Sequence, residues 1–262
     1  MKTALITGSA AGIGARVAQD LDNQGYRLWL VDINESANRR LAKEFQNARC
    51  ISLDLSDKEA LRSFCNEVEL AQLDLAFINA GVAIPGDVMD VSEEVIDLHL
   101  DVNLRSAILL NQACAKTMAK RGRGHIITTV SMGGITPLKG TAVYSATKFA
   151  LRGFLSALHS EVKSKGVAVS GIYPSAVDTE MLRNEVRNDG SPLNFVSSVA
   201  SVGDVARVVQ RAMRSKKLEE YVSRTDGLTS RLVGFFPSLL DRLYPTLERI
   251  GQKGMQRYKE SM

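Results

Sequence analysis

Short apolar runs alternate with longer amphipathic stretches along most of the chain. The runs at residues 2–7 (KTALIT), 27–31, 48–53, 73–79, 124–130, 167–173 and 219–222 have the length and composition of buried parallel strands. Between them, residues 15–23, 34–46, 57–69, 92–119, 142–165 and 203–215 read as helices. This alternation predicts an α/β fold: a doubly wound parallel sheet in a single domain, helices on both faces, crossovers right-handed. Such sheets bind ligands outside the carboxyl ends of their strands. Gly8, Asp32, Asp54, Asn79, Ser131 and Pro174 all sit at predicted strand ends, where a site would be built.

The first strand runs into Gly8-Ser9-Ala10-Ala11-Gly12-Ile13-Gly14 and then into a helix. Glycines at a strand-to-helix turn let backbone approach a phosphate, and the helix N-terminus favours its charge. A glycine cluster alone is often an ordinary loop; the strand before it and the helix after it make this one a nucleotide-binding turn. The second strand ends at Asp32, 18 residues beyond Gly14. A carboxylate there meets the adenosine ribose hydroxyls and repels a 2′-phosphate, which argues for NAD over NADP. Ala11 and Ile33 bring no compensating cation, and Arg39 and Arg40 read as a solvated helix face.

Tyr144 precedes Lys148 by four residues, so a helix puts both side chains on one face. A free tyrosine titrates near pH 10 and exchanges protons poorly at neutrality. An adjacent ammonium favours the phenolate, and acid–base catalysis works best with a group titrating near the working pH. The pair is common by chance; its setting gives it weight.

Over residues 1–222 the chain resembles the short-chain dehydrogenase/reductase family, with its Rossmann-like fold. Thr7-Gly8-x3-Gly12-Ile13-Gly14 matches the family's cofactor loop, and Asp54-Leu55 the acid placed beside adenine. Asn79-Ala80-Gly81 matches its signature after the fourth strand, and Pro174 to Thr179 resembles its nicotinamide segment. Asn103, Ser131, Tyr144 and Lys148 follow the order and spacing of its catalytic tetrad. The resemblance implies Tyr144 as general acid/base on the substrate oxygen and Ser131 as its hydrogen-bonding partner. Lys148 would tune Tyr144 and hold the nicotinamide ribose, Asn103 would hold a water, and Val177 and Thr179 would hold the carboxamide. Gly8, Ser9, Gly12, Ile13, Gly14, Asp32, Asp54, Leu55, Asn79, Ala80 and Gly81 would complete the cofactor site with Pro174. Ser175 stands where the family has glycine, and Ile78 where it commonly has asparagine. The implied activity is hydride transfer between NAD(H) and a secondary alcohol or ketone. A non-catalytic dinucleotide sensor on the same fold is the alternative, which an intact Asn–Ser–Tyr–Lys set disfavours.

Composition narrows the rest. Of 262 residues, 45% are apolar and 24% charged, as in an ordinary soluble globule. Cys50, Cys65 and Cys114 lack metal-ligand spacing and read as reduced thiols. His99, His125 and His159 are scattered, so no metal site is expected. A strand begins at the second residue, and no run is long and apolar enough to span a bilayer. The expected location is cytoplasmic, and nothing suggests nucleic acid as a partner.

Substrate and partners are read from the less patterned stretches. Met181, Leu182, Leu193, Phe195 and Val196 surround a polar segment closed by Gly190 and Pro192, read as a mobile lid. With Ile135, Pro137 and Leu138 they suggest a lipophilic alcohol or ketone. The helices at 92–119 and 142–165 carry more small and apolar residues than one sheet face needs, Ala142, Ala146, Phe149, Ala150, Phe154 and Ala157 among them. A homodimer or homotetramer is expected from them. Residues 223–262 read as a helical C-terminal extension on the same domain. Phe236, Leu239, Leu240, Leu243, Leu247 and Ile250 form its apolar stripe, with Pro237 opening a helix and Pro245 breaking or kinking it. Residues 228–262 carry six basic and three acidic residues, most of the chain's net +4. The extension would either pack back on the pocket or a neighbouring subunit, or touch an anionic membrane weakly.

Overall fold

The computed structural model describes residues 1–188, 190–234 and 237–261. Phe236 lies outside the described residues, as do the side chains of Leu239 and Leu240. Seven strands form one parallel sheet: β1 (Thr3–Thr7), β2 (Arg27–Asp32), β3 (Ala48–Ser52), β4 (Leu75–Ile78), β5 (Gly124–Thr129), β6 (Val167–Tyr173) and β7 (Glu219–Tyr221). Their order is β3-β2-β1-β4-β5-β6-β7, every neighbouring pair parallel. The order reverses direction between β1 and β4, which opens a crevice at the carboxyl ends of those two strands.

Alternate side chains of each strand enter two separate cores. Ala4 and Ile6 point to the face covered by α1 (Gly12–Asp22) and α8 (Val202–Ser215), where Val17, Leu21, Val205 and Val209 are fully buried. Leu5 points to the other face, with Leu61 and Phe64 of α3 (Lys58–Leu70), Leu110 of α5 (Ser106–Lys120) and Leu155 of α6 (Ala142–Val162). The two faces together make the doubly wound sandwich, each buried Leu, Ile or Val adding about 1.5–3 kcal/mol against exposure. Side-chain caps start several helices. Asn34 accepts from Ala37 N–H at the head of α2 (Glu35–Ala42), Asp57 caps α3, and Ser201 with Asp204 forms a reciprocal box on α8.

Three elements depart from the sequence reading. The stretch 92–119 is not one helix: α4 (Glu93–His99) and α5 are joined by a π-helical turn, Leu100–Arg105. Periodicity counts turns but does not register the extra residue a π turn inserts. The segment read as a mobile lid contains α7 (Glu180–Arg187), a helix outside the predicted set, capped by Thr179, and a 3-10 turn at Pro192–Phe195. The extension forms α9 (Arg224–Gly234) and α10 (Pro237–Ser261), and α10 runs through Pro245 instead of stopping there. Pro245 removes its own N–H from the ladder and crowds the Asp241 carbonyl, and tertiary contacts on both sides hold the helix. Tyr244 Oη accepts from Lys139 N–H at 2.7 Å, and Tyr258 Oη donates to Asp178 at 2.7 Å. Among the described residues no helix is long and apolar enough to cross a membrane.

Candidate active site

A cavity of about 540 Å³ lies along the carboxyl ends of the strands, reaching from Asp32 to Tyr144 and on under α7 and α10. The β1–α1 turn forms its floor at one end. Gly8 and Gly12 take positive φ, and a Cβ at Gly14 would sit 1.9 Å from the Gly8 carbonyl oxygen. No other residue fits at Gly14, so the first turn of α1 packs directly on the glycine turn. Asp32 lines the same end; its Oδ2 accepts from Ala10 N–H at 2.9 Å and its Oδ1 from Asn34 N–H at 2.8 Å. The acid therefore braces the glycine turn and keeps further lone pairs for a ligand hydroxyl.

Other predicted positions support the cavity without facing it. Ser9 is buried, its Oγ donating to Asn38 Oδ1 at 2.9 Å, and so ties the turn to α2. Asp54 is exposed and accepts from Ser56, while Leu55 sits in the core; neither lines the cavity. Asn79 joins three strands. Its N–H donates to Thr7 Oγ1, its Nδ2 to the Thr7 carbonyl, and its Oδ1 accepts from Thr129 Oγ1 at 3.0 Å. Asn79, Ala80 and Gly81 line the cavity with Ile13, Pro174, Val177 and Thr179.

The other end collects the tetrad residues. Asn103 is buried on the π-helical turn, and its amide exchanges two 2.8 Å hydrogen bonds with the Val82 backbone. Its Oδ1 would lie 3.0 Å from a Cβ on Gly81, and Lys148 Nζ 3.7 Å from it, so the glycine keeps the three close. The π turn is what turns Asn103 inward, a common setting for such bulges. Ser131 follows β5, its Oγ accepts from Gly133 N–H at 3.0 Å, and it lines the cavity beside Tyr144. Lys148 is 4% exposed, with Nζ donating to the Thr129 carbonyl at 3.2 Å and lying 5.6 Å from the centre of the Tyr144 ring. His99 packs edge-on against Tyr144, held by Val95 O and Ile84 N–H, contacts that put its proton on Nδ1.

The electrostatics differ from the sequence reading in sign. Burial pushes Tyr144 up to about 12, against a smaller lowering by Ser131, and Glu185 raises it further. Lys148 was expected to depress Tyr144; instead burial pushes Lys148 itself down to about 8. Both groups lose hydration together, and at Tyr144 that loss outweighs the lowering by Ser131.

Several lining residues escaped the sequence reading: Glu185 and Asn194 near α7, Asp226, Thr229 and Ser230 of α9. Leu243 and Leu247 of the tail stripe also face the cavity, while Ile250 stays exposed. Met181, Leu182, Leu193 and Val196 line it as expected of a lid, whereas Phe195 turns into a small core with Val186 and Met255. The stripe of Leu243 and Leu247 was the one signal available for the tail's placement. Among the described residues no cluster of His, Cys, Asp or Glu has the makings of a metal site.

A glycine turn, a helix N-terminus and a buried Tyr–Lys pair at the ends of a parallel sheet define a dinucleotide-type α/β site. Residues 2–190 match the sequence profile of the short chain dehydrogenases. The chain belongs to the short-chain dehydrogenase/reductase family of oxidoreductases. It is 34% identical over 188 residues to a diacetyl reductase [(S)-acetoin forming] of Staphylococcus epidermidis, covering 69% of this chain and 73% of that protein. A short-chain dehydrogenase from Sphingobium yanoikuyae in complex with NADPH superposes with a TM-score of 0.79 at 23% identity, over 90% of this chain and 96% of that one. A short chain dehydrogenase/reductase from Burkholderia phymatum in complex with NAD gives 0.80 at 22%, over 91% and 94%.

Proposed function

We propose that the protein transfers a hydride between a nicotinamide dinucleotide and a secondary alcohol or ketone, with Tyr144 as acid/base. The observation that carries this reading is the meeting of Ser131, Tyr144 and Lys148 at one end of the cavity, with Lys148 Nζ 5.6 Å from the centre of the Tyr144 ring. The residues suit such a cofactor: the Gly8–Gly14 turn leaves bare backbone at a helix N-terminus, as a pyrophosphate requires. When bound, the cofactor supplies or accepts the hydride.

The protein's part is orientation and proton handling. In oxidation, Tyr144 takes the proton of the alcohol oxygen; in reduction it gives that proton back. Ser131 holds the same oxygen and stabilises its partial charge. Tyr144, raised by burial, would become a better base where an oxidised nicotinamide brought positive charge beside it. Lys148, fixed by the Thr129 carbonyl, would hold the nicotinamide ribose. Asn103 holds the backbone of Val82 beside Lys148, where a water relay to solvent would begin.

Cofactor choice and substrate class follow from charge and lining. The two superposed structures hold NADPH and NAD respectively, so that likeness favours neither. Asp32 favours NAD(H), because its carboxylate repels a 2′-phosphate. Leu138, Met181, Leu193, Leu243 and Leu247 give the substrate end an apolar wall suited to a lipophilic skeleton. Ala142, Ala146, Phe149, Ala150 and Ala157 form an exposed row on α6, which supports a homodimer or homotetramer. The deciding test is a panel of secondary alcohols with NAD+, followed by absorbance of the reduced cofactor. Turnover of none of them would count against the reading.

A further inference from the structure

Glu185 lines the substrate end of the cavity, and the proposed chemistry leaves it unused. It sits on the last turn of α7, pinned by buried Leu182 and Val186 on either side, and its side chain lines the cavity. Gly190 N–H closes the helix on the Glu185 carbonyl at 2.7 Å. Asn194 Nδ2 donates to Oε2 at 2.9 Å and aims the carboxyl group. The nearby arginines are committed elsewhere, Arg183 to Asp178 and Arg187 to Glu180. Among the described residues no cation pairs with Glu185, and Oε1 has no donor.

A half-buried carboxylate with one amide donor is under-compensated. Burial pushes Glu185 up to about 7, and the same carboxylate raises Tyr144, so the two share one end of the cavity. A cation arriving with the substrate would hold Glu185 ionised and fill the missing half of the pair. A neutral chain at the same place would leave it unpaired. Leu193 and Met181 line the same part of the cavity and offer apolar contact to a chain carrying such a cation.

We propose that Glu185 is a specificity-determining residue that selects amino alcohols or amino ketones, binding a protonated amine carried by the chain beyond the reacting carbon. This rests on the proposed alcohol–ketone activity and adds its substrate class. The amine lies against Glu185, the apolar methylenes against Leu193 and Met181, and the hydroxyl against Tyr144 and Ser131.

The test compares a linear aminopentanol, with a secondary hydroxyl and a terminal amine, against the hexanol of the same shape. In wild type, kcat/KM should favour the amine by at least about tenfold. Glu185→Gln should bring that ratio near one, and Glu185→Lys should move the preference to the matching hydroxy acid. A wild-type ratio at or below one, or a ratio untouched by Glu185→Gln, overturns the inference while leaving the alcohol–ketone reading intact. If neither alcohol turns over, that reading fails by itself. Calorimetry of the two compounds on the protein then decides: tighter amine binding that Glu185→Gln abolishes supports the inference, and equal binding refutes it.

Discussion

Lys148 Nζ donates to the carbonyl of Thr129 at 3.2 Å from beneath the ring of Tyr144, in a place almost closed to solvent. The hydrogen bond fixes the ammonium's position, and burial makes the charge costly. Lys148→Met keeps the stem and removes the charge. It should raise the melting temperature or leave it unchanged, while turnover falls by about 10²-fold or more. Loss of stability together with turnover would make Lys148 a structural residue.

Asp32 has two jobs, bracing Ala10 N–H and facing the adenosine end of the cavity. Asp32→Ala should narrow the preference for NAD+ over NADP+ in kcat/KM, since repulsion and hydrogen bonding disappear together. A wild-type preference for NADPH would mean that another cation, Arg39 or Arg40, governs the choice.

His125 and Glu185 should pull the stability of the fold in opposite directions across one pH window. His125 is buried, with Nε2 2.9 Å from Ser170 Oγ, and burial pushes it down from 6.5 to about 4. From pH 4 to 6.5 the unfolded chain therefore binds the extra proton, and this group makes stability rise with pH. Glu185 moves from 4.5 up to about 7, so between those values the folded chain keeps the proton and stability falls as pH rises. Relative to wild type, urea midpoints of His125→Gln should rise less steeply with pH through this window, and those of Glu185→Gln more steeply. Parallel profiles in both variants would contradict the assignment.

The tail should behave as a cover for the pocket. Backbone of α10 lies against the 3-10 turn so closely that a Cβ at Gly251 would meet Pro192 O at 2.1 Å, and one at Gly254 would meet Phe195 O at 2.2 Å. Tyr244, Glu248 and Tyr258 add polar ties to Lys139 and Asp178. Truncation after Gly227 should raise KM for lipophilic alcohols by about tenfold or more. Salt-sensitive co-sedimentation of the full chain with anionic vesicles would show instead that the stripe meets a membrane.

The sheet and its strand ends were legible because strand burial and glycine turns are written in local composition. Every predicted strand lies within two residues of an observed one, from β1 to β7. The π turn carrying Asn103 was not legible, since one inserted residue hardly disturbs a helical repeat. Nor was the balance of charge at Tyr144: spacing places Lys148 beside it, but only packing reveals that both are dehydrated. Glu185 and Asp226 reach the cavity through long-range folding of α7 and α9, which no local motif encodes. The continuity of α10 through Pro245 is tertiary too, enforced by contacts more than a hundred residues away in sequence, as with Tyr244 and Lys139.

The most direct measurement is the rate of secondary-alcohol oxidation with NAD+ by wild type and Tyr144→Phe, with cofactor affinity measured alongside. The substitution keeps the ring against His99 and removes only the hydroxyl. Turnover should fall by about 10²–10⁴-fold with cofactor affinity nearly unchanged. Turnover equal to wild type in Tyr144→Phe would contradict acid–base catalysis by Tyr144.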